Sequence, residues 1–146
     1  MNIPVVSRVH RCLSQMEKYH SFEGSEKKLK DYPVEWEEGE DPIGVYENTP
    51  NQIEQSIVIT DRAIYFCNAN NHSEKANYRD IVCTETPKDK LTHDTLVVKM
   101  NNGRDFLLPI KRDYEGSRTS NLFEFIRFLN RVKDDLQSHT KFVNKD

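Results

Sequence analysis

Between Pro42 and Ile110 the apolar residues recur with a period of two, in segments too short for helices and separated by clusters of turn formers. Successive side chains on a strand point to opposite faces, so this spacing predicts short strands that each bury one face. Seven are expected, over 43–47, 56–60, 63–67, 75–78, 81–84, 95–100 and 105–110. Asn48-Thr49-Pro50-Asn51 ends the first, Asp61-Arg62 makes a tight turn, and the Asn-rich stretch 68–72 is a loop. Asn101-Asn102-Gly103 is a hairpin signal, because Asn-Gly tolerates positive φ at both central positions. Pro109 has no N–H to give a ladder and marks a sheet edge or a strand end.

After Ser120 the period becomes helical. Leu122, Phe125, Ile126, Leu129, Val132 and Leu136 form one stripe, widened by Phe123 and Phe128, and Asn121 with Glu124 has the spacing of a capping box. A stripe this aromatic needs a large apolar partner, and the open end of the β unit is the simplest one. At the other terminus Ile3, Val6, Val9, Leu13 and Met16 predict a helix over 3–19, with Pro4 in its first turn. Residues 20–41 lack a pattern and read as a charged connector pinned by Tyr32, Pro33 and Trp36. The expected fold is therefore α+β and mainly β. The N-terminal helix and connector occupy 1–41, the main domain 42–138, and a frayed tail 139–146.

A chain of 146 residues can bury roughly 70% of its unfolded surface, so no disulfide or metal is needed as a staple. Cys12, Cys67 and Cys83 are odd in number, widely spaced and without a CxxC pair, which argues for a reducing, cytoplasmic compartment. No stretch approaches the ~20 apolar residues of a spanning helix, and no signal-peptide pattern is present. The net charge of −3 lacks the basic balance of a nucleic-acid binder, and the aromatics follow core periodicity. The signs are unevenly spread. Glu35, Glu37, Glu38, Glu40, Asp41, Glu47 and Glu54 fall in one stretch without a Lys or Arg, which reads either as a solvated face or as a docking surface for a basic partner.

Catalysis requires groups held together in a cleft. The chain has no G-x-S-x-G, HExxH, P-loop or glycine-rich fingerprint, and His72 and His93 stand apart from any ligand cluster. Cys83 with His93 is the sole nucleophile–base pairing to name, and a structural Cys on a strand with a solvated loop His is much the simpler explanation. No catalytic residue, cofactor or metal site is expected.

The order of seven strands and a terminal helix resembles the pleckstrin-homology-like superfamily. Ser56-Ile57-Val58-Ile59-Thr60-Asp61-Arg62-Ala63-Ile64-Tyr65-Phe66 is similar to the hairpin of GRAM-type and bacterial PH-like domains. Tyr78-Arg79-Asp80-Ile81 resembles the Tyr-x-Asp-Ile step that follows it, and Gly39-Glu40-Asp41-Pro42-Ile43 resembles the approach to their first strand. The resemblance implies a seven-stranded partly open barrel, built from a four-stranded and a three-stranded sheet and capped by the C-terminal α-helix. It implies that Thr60 and Asp61 bond the turn backbone and that Tyr78 and Ile81 lie beneath that helix.

Domains of this type that bind inositol phosphates carry clustered Lys and Arg on the first hairpin. Here that hairpin, 46–56, holds Glu47 and Glu54 and no cation. The expectation is a non-catalytic module that binds a protein, either as an adaptor or as a small inhibitor or immunity-type protein whose acidic stretch docks a basic partner. PH-like folds also receive a peptide as an added strand beside the C-terminal helix. The alternative is a peripheral membrane or phosphoinositide adaptor using another patch, Lys111, Arg112 and Arg118, or Lys88 and Lys90. The N-terminal stripe either packs on its own domain or mediates a homodimer.

Overall fold

The computed structural model describes residues 3–68, 72–85, 95–111 and 121–143. Helix α1 spans Ile3–Cys12. Eight strands follow among the described residues: β1 Tyr19–Ser21, β2 Pro42–Glu47, β3 Ser56–Thr60, β4 Ala63–Asn68, β5 His72–Asn77, β6 Ile81–Glu85, β7 Thr95–Met100 and β8 Asp105–Pro109. Helix α2 spans Asn121–Val143, and short 3-10 turns occupy Leu29–Asp31 and Tyr78–Asp80. All pairings are antiparallel. The strands form a five-stranded sheet in the order β1-β2-β3-β4-β5 and a three-stranded sheet in the order β6-β7-β8.

The period-two segments become β2 to β8. The Asn101-Asn102-Gly103 turn joins β7 to β8, and Gly103 supplies the positive φ of 86° there. The inner faces of both sheets share one core with the helices. Tyr46, Ile57, Ile59 and Ile64 come from the larger sheet, Leu96, Val98 and Leu108 from the smaller, and Leu122, Phe125, Phe128, Leu129 and Val132 from α2. Phe125 meets Tyr46 edge-on at 5.1 Å and Phe128 meets Tyr78 at 5.8 Å. Tyr78 and Ile81 are buried in that same core, and the 3-10 turn carrying Tyr78 packs against α2.

Polar side chains stitch the two sheets at one corner. The Asn48 amide donates to the carbonyls of Gln55 at 2.6 Å and Pro109 at 2.8 Å, while its oxygen accepts the Lys111 N–H at 2.6 Å. The Tyr46 hydroxyl donates to the Lys111 carbonyl and accepts from the Asn121 amide at 2.6 Å. Asn121 thus binds the start of α2 to β2 through its side chain.

Three expectations change. Helix α1 stops at Cys12, not at Tyr19, because the chain turns through Leu13 to Lys18 so that β1 can add to β2. Its buried face is Val5, Val9 and Cys12, continued by Leu13 and Met16 in the turn that follows, with Val6 only half-buried. This apolar stripe faces the domain's own core and is covered within the chain. Finally, the connector is part of the packing. Tyr32 and Val34, with Phe22 and Leu29, cover Val45, Val58, Ala63, Tyr65 and Cys67 on the outer face of the larger sheet. Every residue of β3 is consequently buried. Trp36, expected to help pin the segment, is exposed.

Candidate functional site

The acidic stretch does not form one surface. Glu40 is buried over the outer face of the larger sheet, where its carboxylate accepts the Thr60 hydroxyl, the Tyr65 hydroxyl at 2.9 Å and the Glu37 N–H at 2.9 Å. Glu47 is buried on β2, with His20 Nε2 and Lys27 Nζ each 3.0 Å from one of its oxygens. Alternation on β2 and packing under the connector turn these two carboxylates inward, where the sequence alone suggested solvent. Glu35, Glu37 and Glu38 are exposed and Asp41 is half-buried. Glu37 lies 3.1 Å from both Lys75 and Arg62, and the Lys75 ammonium, with Arg62, holds its carboxyl below the usual range. The exposed acidic surface is therefore smaller than the composition of the stretch, and its centre is already paired.

Thr60 and Asp61 take different partners in the β3–β4 turn. The Thr60 hydroxyl accepts the N–H groups of Arg62 and Ala63, as the resemblance implied, while Asp61 reaches outside the turn to accept the Asp41 N–H at 2.8 Å. Burial pushes the thiols of Cys12 and Cys67 up, away from the thiolate that reactive chemistry needs. Cys83 is half-buried on β6, and His93 lies outside the described residues. Lys111 is exposed beside the Asn48 corner, whereas Arg112, Arg118, Lys88 and Lys90 lie outside the described residues. Among the described residues no group of His, Cys, Asp and Glu is placed to hold a metal, and no helix is long and apolar enough to cross a membrane.

The feature with the clearest binding geometry is the edge of the smaller sheet. Among the described residues strand β6 pairs with β7 alone, and it packs against α2. Backbone groups on an antiparallel edge point alternately toward and away from the neighbouring strand. The Val82 carbonyl, at the register shift between Ile81 and Cys83, accepts from Lys133 Nζ at 3.1 Å, and Thr84 lies just beyond the shift, opposite Val98. The Thr84 hydroxyl lies 3.3 Å from the Asn130 side-chain oxygen. Val82 is 52% exposed and Phe123 62%, large values for apolar side chains on packed elements. Phe123, Ile126, Asn130 and Lys133 follow one another at spacings of three, four and three, so they share the face of α2 that overlooks β6.

A cleft of about 630 Å³ opens beyond the N-terminal end of β6, lined by Glu37, Asp61, Arg62, Asn77, Arg79, Asp80 and Leu136. The sequence signalled β6 as a strand and α2 as an amphipathic helix. It carried no signal that β6 is an edge or that α2 runs beside it, since both depend on the pairing of strands distant in the chain. The chain matches no family model and no curated protein.

Proposed function

We propose that this chain is a non-catalytic, PH-like binding module that captures a protein by pairing an extended segment of it with the free edge of β6. The PH-like assignment rests on the order β2 to β8 followed by α2, on the Thr60-Asp61-Arg62 hairpin, and on Tyr78 and Ile81 packed under the helix. The observation that carries the binding proposal is the β6 edge beside α2. Val82 and Thr84 lie along that edge, and the only described contact to the Val82 carbonyl there comes from a lysine ammonium. Such an edge is a template for main-chain hydrogen bonds, and alternate side chains of the incoming strand meet the helix face. The first hairpin, with Glu47 and Glu54 and no cation, favours a protein ligand over a phosphoinositide.

Thr84→Pro tests the proposal, because proline is tolerated on an edge whose N–H faces outward but removes that donor. The tagged wild-type chain is expected to retain a specific protein from its native lysate. The variant, checked by circular dichroism to be folded, is expected to lose it. Equal capture by both forms, or pelleting with anionic vesicles in place of any protein capture, overturns the proposal.

A further inference from the structure

The groove along β6 and the cleft beyond it lie on one path. Along α2, Asn130 stands at Thr84 and Lys133 stands at Val82, so the helix runs antiparallel to the strand. One further turn brings Leu136, which lines the cleft together with Arg79. An extended peptide lying on the β6 edge therefore reaches the cleft within a few residues.

The charges on this path are unequally engaged. The carboxylates that line the cleft have partners within the chain, and Glu85 on β6 lies 3.8 Å from Lys99. Asp61 accepts the Asp41 N–H, Glu37 is paired with Arg62 and Lys75, and Asp80 accepts from the Asn101 amide at 3.4 Å. The two cations are not satisfied in the same way. Lys133, with 19% of its side chain exposed, donates to the neutral Val82 carbonyl, and the nearest carboxylate oxygen is that of its chain neighbour Asp134 at 4.0 Å. Arg79 is exposed and makes no ion pair among the described residues. A carboxylate adds a coulombic attraction to an ammonium or guanidinium that a neutral carbonyl does not supply, so each cation gains when one arrives.

Resting on the strand-addition proposal above, we propose that this site selects acidic extended peptides. The peptide main chain pairs with Val82 and Thr84. One carboxylate draws Lys133 off the Val82 carbonyl, which frees that carbonyl for the peptide N–H, and a second meets Arg79 at the mouth of the cleft. The displacement couples strand pairing to charge recognition, since the same ammonium must leave the edge for the strand to add.

The probes are two capped hexapeptides, one alternating valine with glutamate and one alternating valine with lysine. Each is titrated into the full chain, with backbone amide shifts followed by two-dimensional NMR. The glutamate peptide is expected to shift the amides of residues 82–85 and to bind about tenfold more tightly than the lysine peptide. Lys133→Gln together with Arg79→Gln is expected to erase that preference, and Thr84→Pro to abolish binding of both peptides. Equal binding of the two peptides at residues 82–85 overturns the acidic selectivity and leaves strand addition standing. Shifts confined to other residues, or none from either peptide, overturn both.

Discussion

Tyr65 donates its hydroxyl to Glu40, 2.9 Å from each carboxylate oxygen, and this bond ties the connector to the outer face of the larger sheet. The Thr60 hydroxyl and the Glu37 N–H complete the shell of the carboxylate. Removing the acceptor leaves two buried hydroxyls without it. Glu40→Ala is therefore expected to destabilise the fold by about 2–4 kcal/mol, whereas Glu38→Ala, at an exposed position, changes stability by less than about 0.5 kcal/mol. Urea denaturation of the two variants separates these outcomes, and similar midpoints would contradict the arrangement.

Val58 points to the outer face of the larger sheet, yet it is buried beneath Tyr32 and Val34. A surface strand position tolerates a charge, but a covered one does not. Val58→Asp places a carboxylate where no partner awaits it, and is expected to cost about 3 kcal/mol or more. Tyr32→Ala uncovers the same patch and is expected to cost about 2–4 kcal/mol. Thermal melting compared with Val82→Asp, on an exposed edge, provides the control.

The N-terminal helix is held by apolar packing and by an ion pair, with Arg8 Nε 3.0 Å from Asp135 Oδ2. Both partners of the pair are partly exposed, so screening limits it to about 1 kcal/mol or less. Leu13 is fully buried, and Leu13→Ala is expected to cost about 2–5 kcal/mol. Amide exchange over residues 5–12 should speed up strongly in Leu13→Ala and little in Arg8→Ala. The opposite order would place the ion pair in control.

Burial pushes the Tyr19 phenol up to about 12 and raises those of Tyr32, Tyr65 and Tyr78 as well. An unfolded tyrosine ionises near pH ~10. Above that pH the unfolded chain has released protons that the native chain still holds, so stability falls as pH rises. The contribution of Tyr19 is fully present below pH ~10 and is lost as pH rises toward its folded value of about 12. Phenolate absorbance is expected to show these rings resisting ionisation until the chain unfolds, and a urea midpoint that holds steady above pH ~10 would refute the burial of these phenols.

Most strand signals from β2 onward and the signal for α2 carried over because they are local, although β5 runs His72–Asn77 where 75–78 was expected after a loop over 68–72. Ile57 and Ile59 alternate around Val58 whatever packs on them, and the aromatic stripe of α2 repeats at the helical period in the sequence itself. The N-terminal segment was less legible. Beyond α1 only three residues form β1, too few for periodicity to register, and the covering residues Phe22, Leu29, Tyr32 and Val34 are interspersed with charges. Glu40 and Glu47 looked like their exposed acidic neighbours, since burial of a carboxylate depends on donors supplied from distant positions such as Tyr65, His20 and Lys27.

By itself the sequence determined the strands from β2 onward and the C-terminal helix, which face of each is apolar, and that the first hairpin lacks the cations of a phosphate site. Those are properties of side-chain order along the chain. The tertiary structure decided what covers each face and which strand edges stay open. It laid the connector over Val58, turned two glutamates inward, and left one edge of β6, beside Lys133, without a strand partner among the described residues. The physical reason is that a period of two or of 3.6 specifies faces but not their partners. Partners are chosen when the whole chain buries its apolar surface and pairs its polar groups at once.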